Sequence, residues 1–222
     1  MNFAYYIFLL LIIFFLYLLI LKNMRLSPKK IRLYMTFVSI LFILRYIGLF
    51  LLSVIKGGTF VHLLKPLLFL NHLAIPLMVL ALSYVYLRWD KLNFNFNYII
   101  ATILLCFYCI GMIFFKGKII FNPTYGYIIN VNNEAMLYLI SLVLVGFLLV
   151  FCVYFFDKPN NNRHGMIYLI TALTMVIVEN ILYLGGIRFF PYPIIGDGIF
   201  IIIMNLAVNT FKRQSIKAVS SN

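Results

Sequence analysis

Negative charge is what this sequence has least of. It holds five Asp and Glu against eighteen Lys and Arg, and charged residues make up only 10% of its 222 positions. Soluble domains carry about 25% charged residues, so there are too few here to cover a water-soluble fold of this size. Cysteine is also scarce. Cys106, Cys109 and Cys152 all lie within apolar runs, and an odd number so placed argues against a disulfide framework. Recognisable catalytic patterns are missing as well. There is no phosphate-cradling glycine loop, no Gly-x-Ser nucleophile and no lysine in the last apolar run for a Schiff base. An aspartyl protease needs two carboxylates sharing a site, and the only candidates are Glu179 and Asp197, the second near a helix end. The chain is therefore read as having no intrinsic catalysis.

Metal and cofactor sites are not expected either. His62 and His72 are ten residues apart, which is not a helical-face repeat, and His164 falls in a loop. Cys106-Phe107-Tyr108-Cys109 is a C-x-x-C, but it sits in an apolar helix without further soft ligands and reads as packing. The net charge of +13 would point to nucleic acid in a soluble protein. No basic face alternating with stacking aromatics supports that here.

What the chain has in abundance is apolar surface: 65% hydrophobic residues and a mean hydropathy of +1.07. A membrane-spanning helix takes about 20 apolar residues. Seven such runs occur, at about 3–21, 33–55, 67–87, 98–115, 136–156, 166–187 and 194–211, leaving only short connections. The expected fold is an all-α, polytopic helix bundle, a single transmembrane domain spanning 1–222. The third helix could begin as early as Phe60, with Pro66 near its start and Pro76 as a kink. The first run follows directly on Met1 without a basic leader or a cleavage site, so it reads as a retained helix rather than a signal peptide.

Loop charge sets the expected orientation. Twelve basic residues lie in the connections after the first, third, fifth and seventh runs, the last of them Lys212, Arg213 and Lys217. Five lie on the other side, and Arg45 alone is inside a helix. The positive-inside rule then places the N-terminus outside and the C-terminus, with a short basic tail at 212–222, in the cytoplasm of a cell membrane. Between the fourth and fifth runs, two β-prone stretches flank Asn122-Pro123-Thr124-Tyr125-Gly126. They predict a short outer β-hairpin at about 118–130.

Polar residues in the apolar runs mark the candidate site. A charge at mid-membrane costs about 2.5–3.5 kcal/mol on insertion scales, so such residues face the bundle interior and find partners. Arg45 lies mid-way along the second helix and Glu179 just past the middle of the sixth, at similar depth. A bidentate pair between them is expected, either as a packing salt bridge or as a ligand-responsive one. Asn71, His72, Asn180, Tyr183 and Asp197 surround them in the outer half. Together the seven predict a cavity opening outward, although a lone polar residue in a span is more often interhelical glue.

The order of features resembles the seven-helix N-terminal membrane sensor region of bacterial histidine kinases and related signalling proteins. The resemblance rests on Asn71-His72-Leu73-Ala74-Ile75-Pro76 in the third helix, the hairpin before the fifth, and the Asn162-Arg163-His164 loop. It continues in Glu179-Asn180-Ile181-Leu182-Tyr183 and Gly196-Asp197-Gly198. It implies a region that detects something at the membrane and passes it to an attached cytoplasmic domain; the ligand expected in the outward cavity is apolar or amphipathic. Only eleven residues follow Phe211, too few for a kinase. The chain is then either a stand-alone sensor working through a separate membrane or cytoplasmic signalling protein, or a truncated one. A small transporter or permease subunit and a structural membrane assembly partner are the alternatives.

Overall fold

The computed structural model describes residues 3–55, 61–87, 94–159 and 161–220, the last nine of these by backbone alone. Phe60 and three of the loop basic residues that set the orientation, Lys56, Arg88 and Lys91, lie outside the described residues, as do the side chains of Lys212, Arg213 and Lys217.

The chain folds as a helical bundle with one small sheet. In order, the elements are α1 (Phe3–Leu26), α2 (Lys29–Val54), α3 (Val61–Leu68), α4 (Asn71–Leu87), α5 (Asn95–Phe114), β1 (Gly117–Asn122), β2 (Gly126–Val131), α6 (Glu134–Tyr154), α7 (Arg163–Leu184) and α8 (Ile195–Ser220). Among the described residues, six helices are long and apolar enough to cross a membrane, α3 and α4 together forming one of them. Ile195–Phe211, the apolar part of α8, is shorter. At 1.5 Å per residue it spans about 25 Å, less than the ~30 Å of a bilayer's hydrocarbon.

Helix α4 is the axis of the molecule. Thirteen of its seventeen residues are buried, and it packs against α2, α5, α6, α7 and α8. A helix apolar on all sides is stable only when surrounded. Helix α5 is the opposite case. Met112 is its single buried side chain, while Phe107, Ile113 and Phe114 are mostly exposed. Such a helix needs lipid rather than water on its outer face. It is fastened at a few points: the Tyr98 hydroxyl donates to the Lys30 carbonyl (2.9 Å), and the Tyr108 hydroxyl to that of Pro66. Lys65 Nζ donates to the Met112 (2.7 Å) and Phe115 (2.6 Å) carbonyls, placing a cation at the negative end of the α5 dipole.

The third span is broken. Around Phe69 and Leu70 the bonds tighten to i→i+3, with His72 N donating to Phe69 O (3.1 Å) and Leu73 N to Leu70 O (3.1 Å). The Leu68 carbonyl, which an unbroken helix would pair with His72 N, is thereby released. The break lies between the two prolines, not at the kink expected of Pro76, which sits inside α4 without interrupting it.

The predicted hairpin is present. Strands β1 and β2 pair antiparallel, with Ile119 opposite Ile129 and Asn122 opposite Gly126. Gly126 has φ +86°, and a Cβ there would lie 2.7 Å from Ser53 Cα and 2.8 Å from Leu52 O. Turn and docking onto the end of α2 thus both require glycine. Helix α8 continues past Phe211 to Ser220, so the stretch read as a tail is helical in its backbone.

Candidate functional site

Two constructions contain the candidate residues. The first is a buried polar node at the hairpin end of the bundle. Arg45 (α2) is 1% exposed and forms an ion pair with Asp197, in the first turn of α8. Arg45 Nε also donates to the Leu68 carbonyl freed by the helix break (3.0 Å), and Nη2 to Pro193 O (2.6 Å). The planar guanidinium thus ties together α2, the α3–α4 break and the start of α8, a geometry that lysine could not reproduce. The Tyr46 hydroxyl lies 3.3 Å from Asp197 Oδ2 and 3.4 Å from Ile194 O, two acceptors for its one proton.

Glu179 (α7) does not pair with Arg45, correcting the expected ion pair. Its carboxylate instead accepts three backbone N–H groups at the start of α8: Ile194 and Ile195 on Oε1 (2.9 Å each) and Gly196 on Oε2 (2.7 Å). These are the unpaired donors that a helix N-terminus leaves open, and the helix dipole favours a carboxylate there. Gly196 is required by the close approach, since a Cβ would stand 2.5 Å from Val176 Cγ2 and 3.0 Å from Glu179 Oε2. Two carboxylates, one guanidinium and about half a positive charge from the α8 N-terminus bring the node close to neutrality.

A connected group reaches the hairpin. The Tyr183 hydroxyl lies 2.7 Å from Glu134 Oε1 and 3.1 Å from Pro191 O, two acceptors for its one proton. Arg188 meets Glu134 at 3.4 Å and lies over the Tyr183 ring, 4.2 Å from its centroid. Tyr192, in the α7–α8 connection, accepts from Ile129 N (2.8 Å) and donates to Ile129 O (3.3 Å). Burial pushes its hydroxyl far above the ordinary tyrosine range, which keeps that donor in place. Asn71 and Asn180 are buried as well.

The second construction is a lateral cleft of about 640 Å³ between α5 and α6, with α4 at its base. Its walls are mostly apolar, Leu104, Phe107, Met112, Leu137 and Phe147 among them, with Ser141 and Tyr108 the hydroxyl-bearing members. The rim residues Phe107, Val143 and Phe147 are each 69% exposed, so the cleft opens to whatever surrounds the bundle. His72 stands at the base. Its ring lies parallel to Phe69 (centroids 6.1 Å) and edge-on to Tyr138 (5.0 Å). Both ring nitrogens are buried and have no hydrogen-bond partner among the described residues. A buried polar group without a partner costs about 1–3 kcal/mol, and none of the described lining residues is charged.

The single outward cavity expected around Arg45, His72, Glu179 and Asp197 is therefore corrected. His72 lines the α5–α6 cleft, and Glu179 borders a separate pocket of about 170 Å³ with Tyr183 and Arg188. Arg45 and Asp197 are sealed between helices, at 1% and 2% exposure. Cleft and node nevertheless touch. Phe69 stacks on His72 and meets Tyr192 edge-on (6.1 Å), and Leu68 carries the carbonyl that Arg45 holds. Sequence reasoning missed Tyr46, Phe69 and Tyr192. Only Tyr46 carried a signal, being adjacent to the one charged residue inside a helix.

The class these observations fit is a multi-pass membrane helix bundle: among the described residues six helices match a bilayer by length and apolarity, and Arg45, Asn71, Asn180 and Asp197 are buried between helices. No protein-family model matches the chain, and no curated protein matches it either.

Proposed function

We propose that the protein is a receptor-like membrane sensor without intrinsic catalysis. It takes an apolar or amphipathic ligand from the bilayer into the α5–α6 cleft and signals through a separate partner protein. The observation that carries this reading is His72, an imidazole with both nitrogens unpartnered among the described residues, at the base of a mostly apolar, laterally open cleft. Ligand pockets are commonly apolar with a few placed polar groups. In this reading the ligand bears on the His72–Phe69 stack at the α3–α4 break. The break shares Arg45 with the start of α8, so a shift there moves α8. The resemblance to kinase sensor regions, and the seven-span topology with the hairpin outside, belong to the same proposal. Arg45 and Glu179 act in it as the rigid end of the lever, not as ligand contacts.

The test is affinity purification of the intact protein from its native membrane in mild detergent, with identification of the proteins retained. A kinase or other signalling protein is the expected companion. One observation favours a permease instead: broken spans are a mark of transporters, and the third span is broken. A nucleotide-driven transport subunit among the retained proteins, or solute flux in reconstituted vesicles, would replace the sensor reading with that one.

A further inference from the structure

The chemistry of the cleft narrows what it takes, provided that it is a ligand site as proposed above. Its volume of about 640 Å³ holds on the order of twenty non-hydrogen atoms, at the ~30 Å³ that a water occupies in the liquid. One acyl or isoprenoid chain with a small head fits, and a whole two-chain phospholipid does not. The described lining residues include no cation. The guanidinium at the node, Arg45, is already committed to Asp197, Leu68 O and Pro193 O. An anionic head would enter a mostly apolar site without a counter-charge, met only by neutral donors such as His72 and Ser141, which do not offset the burial of a full charge. A pure hydrocarbon would leave both His72 nitrogens unpaired. An uncharged head that can hydrogen-bond avoids both costs, because a neutral imidazole offers one donor and one acceptor.

We infer that the cleft binds a single-chain amphipath with an uncharged hydrogen-bonding head, and that His72 is the residue that reads the head. A hydroxyl, an ester or a quinone carbonyl meets this description, so monoacylglycerols, long-chain alcohols and short-tailed quinones share the chemistry.

The experiment uses the full chain in nanodiscs of stated phosphatidylcholine composition. Matched 16-carbon photoactivatable probes carry a hydroxyl, a carboxylate or no head group, and labelled peptides are mapped by mass spectrometry. Labelling of α5 and α6 by the alcohol is expected to exceed that by the hydrocarbon about tenfold, the effect of one good hydrogen bond. His72→Phe keeps the aromatic stack and is expected to remove this preference. His72→Gln, which retains a donor and an acceptor, is expected to keep part of it and guards against a folding defect in the first variant. Competition by a monoacylglycerol or by a quinone then separates the two natural sources. Equal labelling by all three probes, unchanged in His72→Phe, would overturn the head-group inference and leave the cleft as a ligand site. Preference for the carboxylate would overturn the uncharged head. No labelling of α5 or α6 by any probe would remove the cleft itself, and with it the proposed function.

Discussion

Removing the guanidinium of Arg45 tests the node most sharply. In Arg45→Met the Asp197 carboxylate stays at 2% exposure with its ion-pair partner gone. Breaking a buried pair in this way costs about 3–5 kcal/mol. The Leu68 and Pro193 carbonyls also lose the donors that reach them at 3.0 and 2.6 Å, and an unpaired buried acceptor costs about 1–3 kcal/mol. The single variant should therefore lose at least about 5 kcal/mol, taking the low end of both ranges and counting both carbonyls. Adding Asp197→Asn removes the stranded charge, so the double variant should recover about 2–3 kcal/mol of that loss. The assay is reversible unfolding in mixed micelles, followed by far-UV circular dichroism as the fraction of denaturing detergent rises. A parallel cycle pairs Arg45→Met with Glu179→Gln. Because Glu179 is occupied by backbone N–H groups, its coupling to Arg45 should be smaller by at least about 1 kcal/mol. If the Arg45–Glu179 coupling equalled or exceeded that of Arg45–Asp197, the assignment of partners would be wrong.

Further consequences follow for neighbouring positions. Glu179→Gln should destabilise by about 1–2 kcal/mol, since a neutral amide caps three N–H donors less well than a carboxylate. Hydrogen exchange should accelerate at Ile194, Ile195 and Gly196 more than elsewhere in α8. Gly196→Ala should cost about 1–3 kcal/mol through the clash with Val176. Gly146→Ala, where a Cβ meets nothing within 4 Å, should be neutral or gain up to about 1 kcal/mol in the same unfolding assay. Tyr192→Phe removes both bonds to Ile129 and should raise the protease sensitivity of the hairpin while leaving global unfolding nearly unchanged. Unaltered cleavage there would mean that the tie to the α7–α8 connection is not what holds the hairpin.

Much of the architecture was legible in the sequence because lipid imposes a simple rule: backbone polar groups must pair within a helix, so apolar runs of sufficient length become helices. The hairpin was legible from turn chemistry, Gly126 supplying the positive φ that the register requires. The node was not. Hydropathy reads Asp197 as a residue at a helix end facing water, because it cannot see that the preceding connection turns inward and buries Tyr192 and Ile194. Glu179 was visible as a charge within an apolar run, yet its partners are backbone amides, which leave no mark in a sequence. The break at Phe69 and Leu70 falls between two prolines, neither of which marks it by position. His72 was visible as a polar residue in an apolar run. Its cleft was not, since that depends on α5 standing away from α6 while fastened by Tyr98, Tyr108 and Lys65.

The reading of the protein as a ligand-binding membrane sensor depends most directly on occupancy of that cleft. Gly111 lines it, and a Cβ there meets nothing nearer than 4.0 Å, so Gly111→Trp fills the space without disturbing the node. Native mass spectrometry of protein purified from its own membrane should find one small amphipath retained per chain in the wild type. The same measurement should find none in Gly111→Trp, with the helical circular dichroism of the two proteins superimposable. Retention unaffected by the filled cleft, or no retained molecule in the wild type, would contradict the proposal.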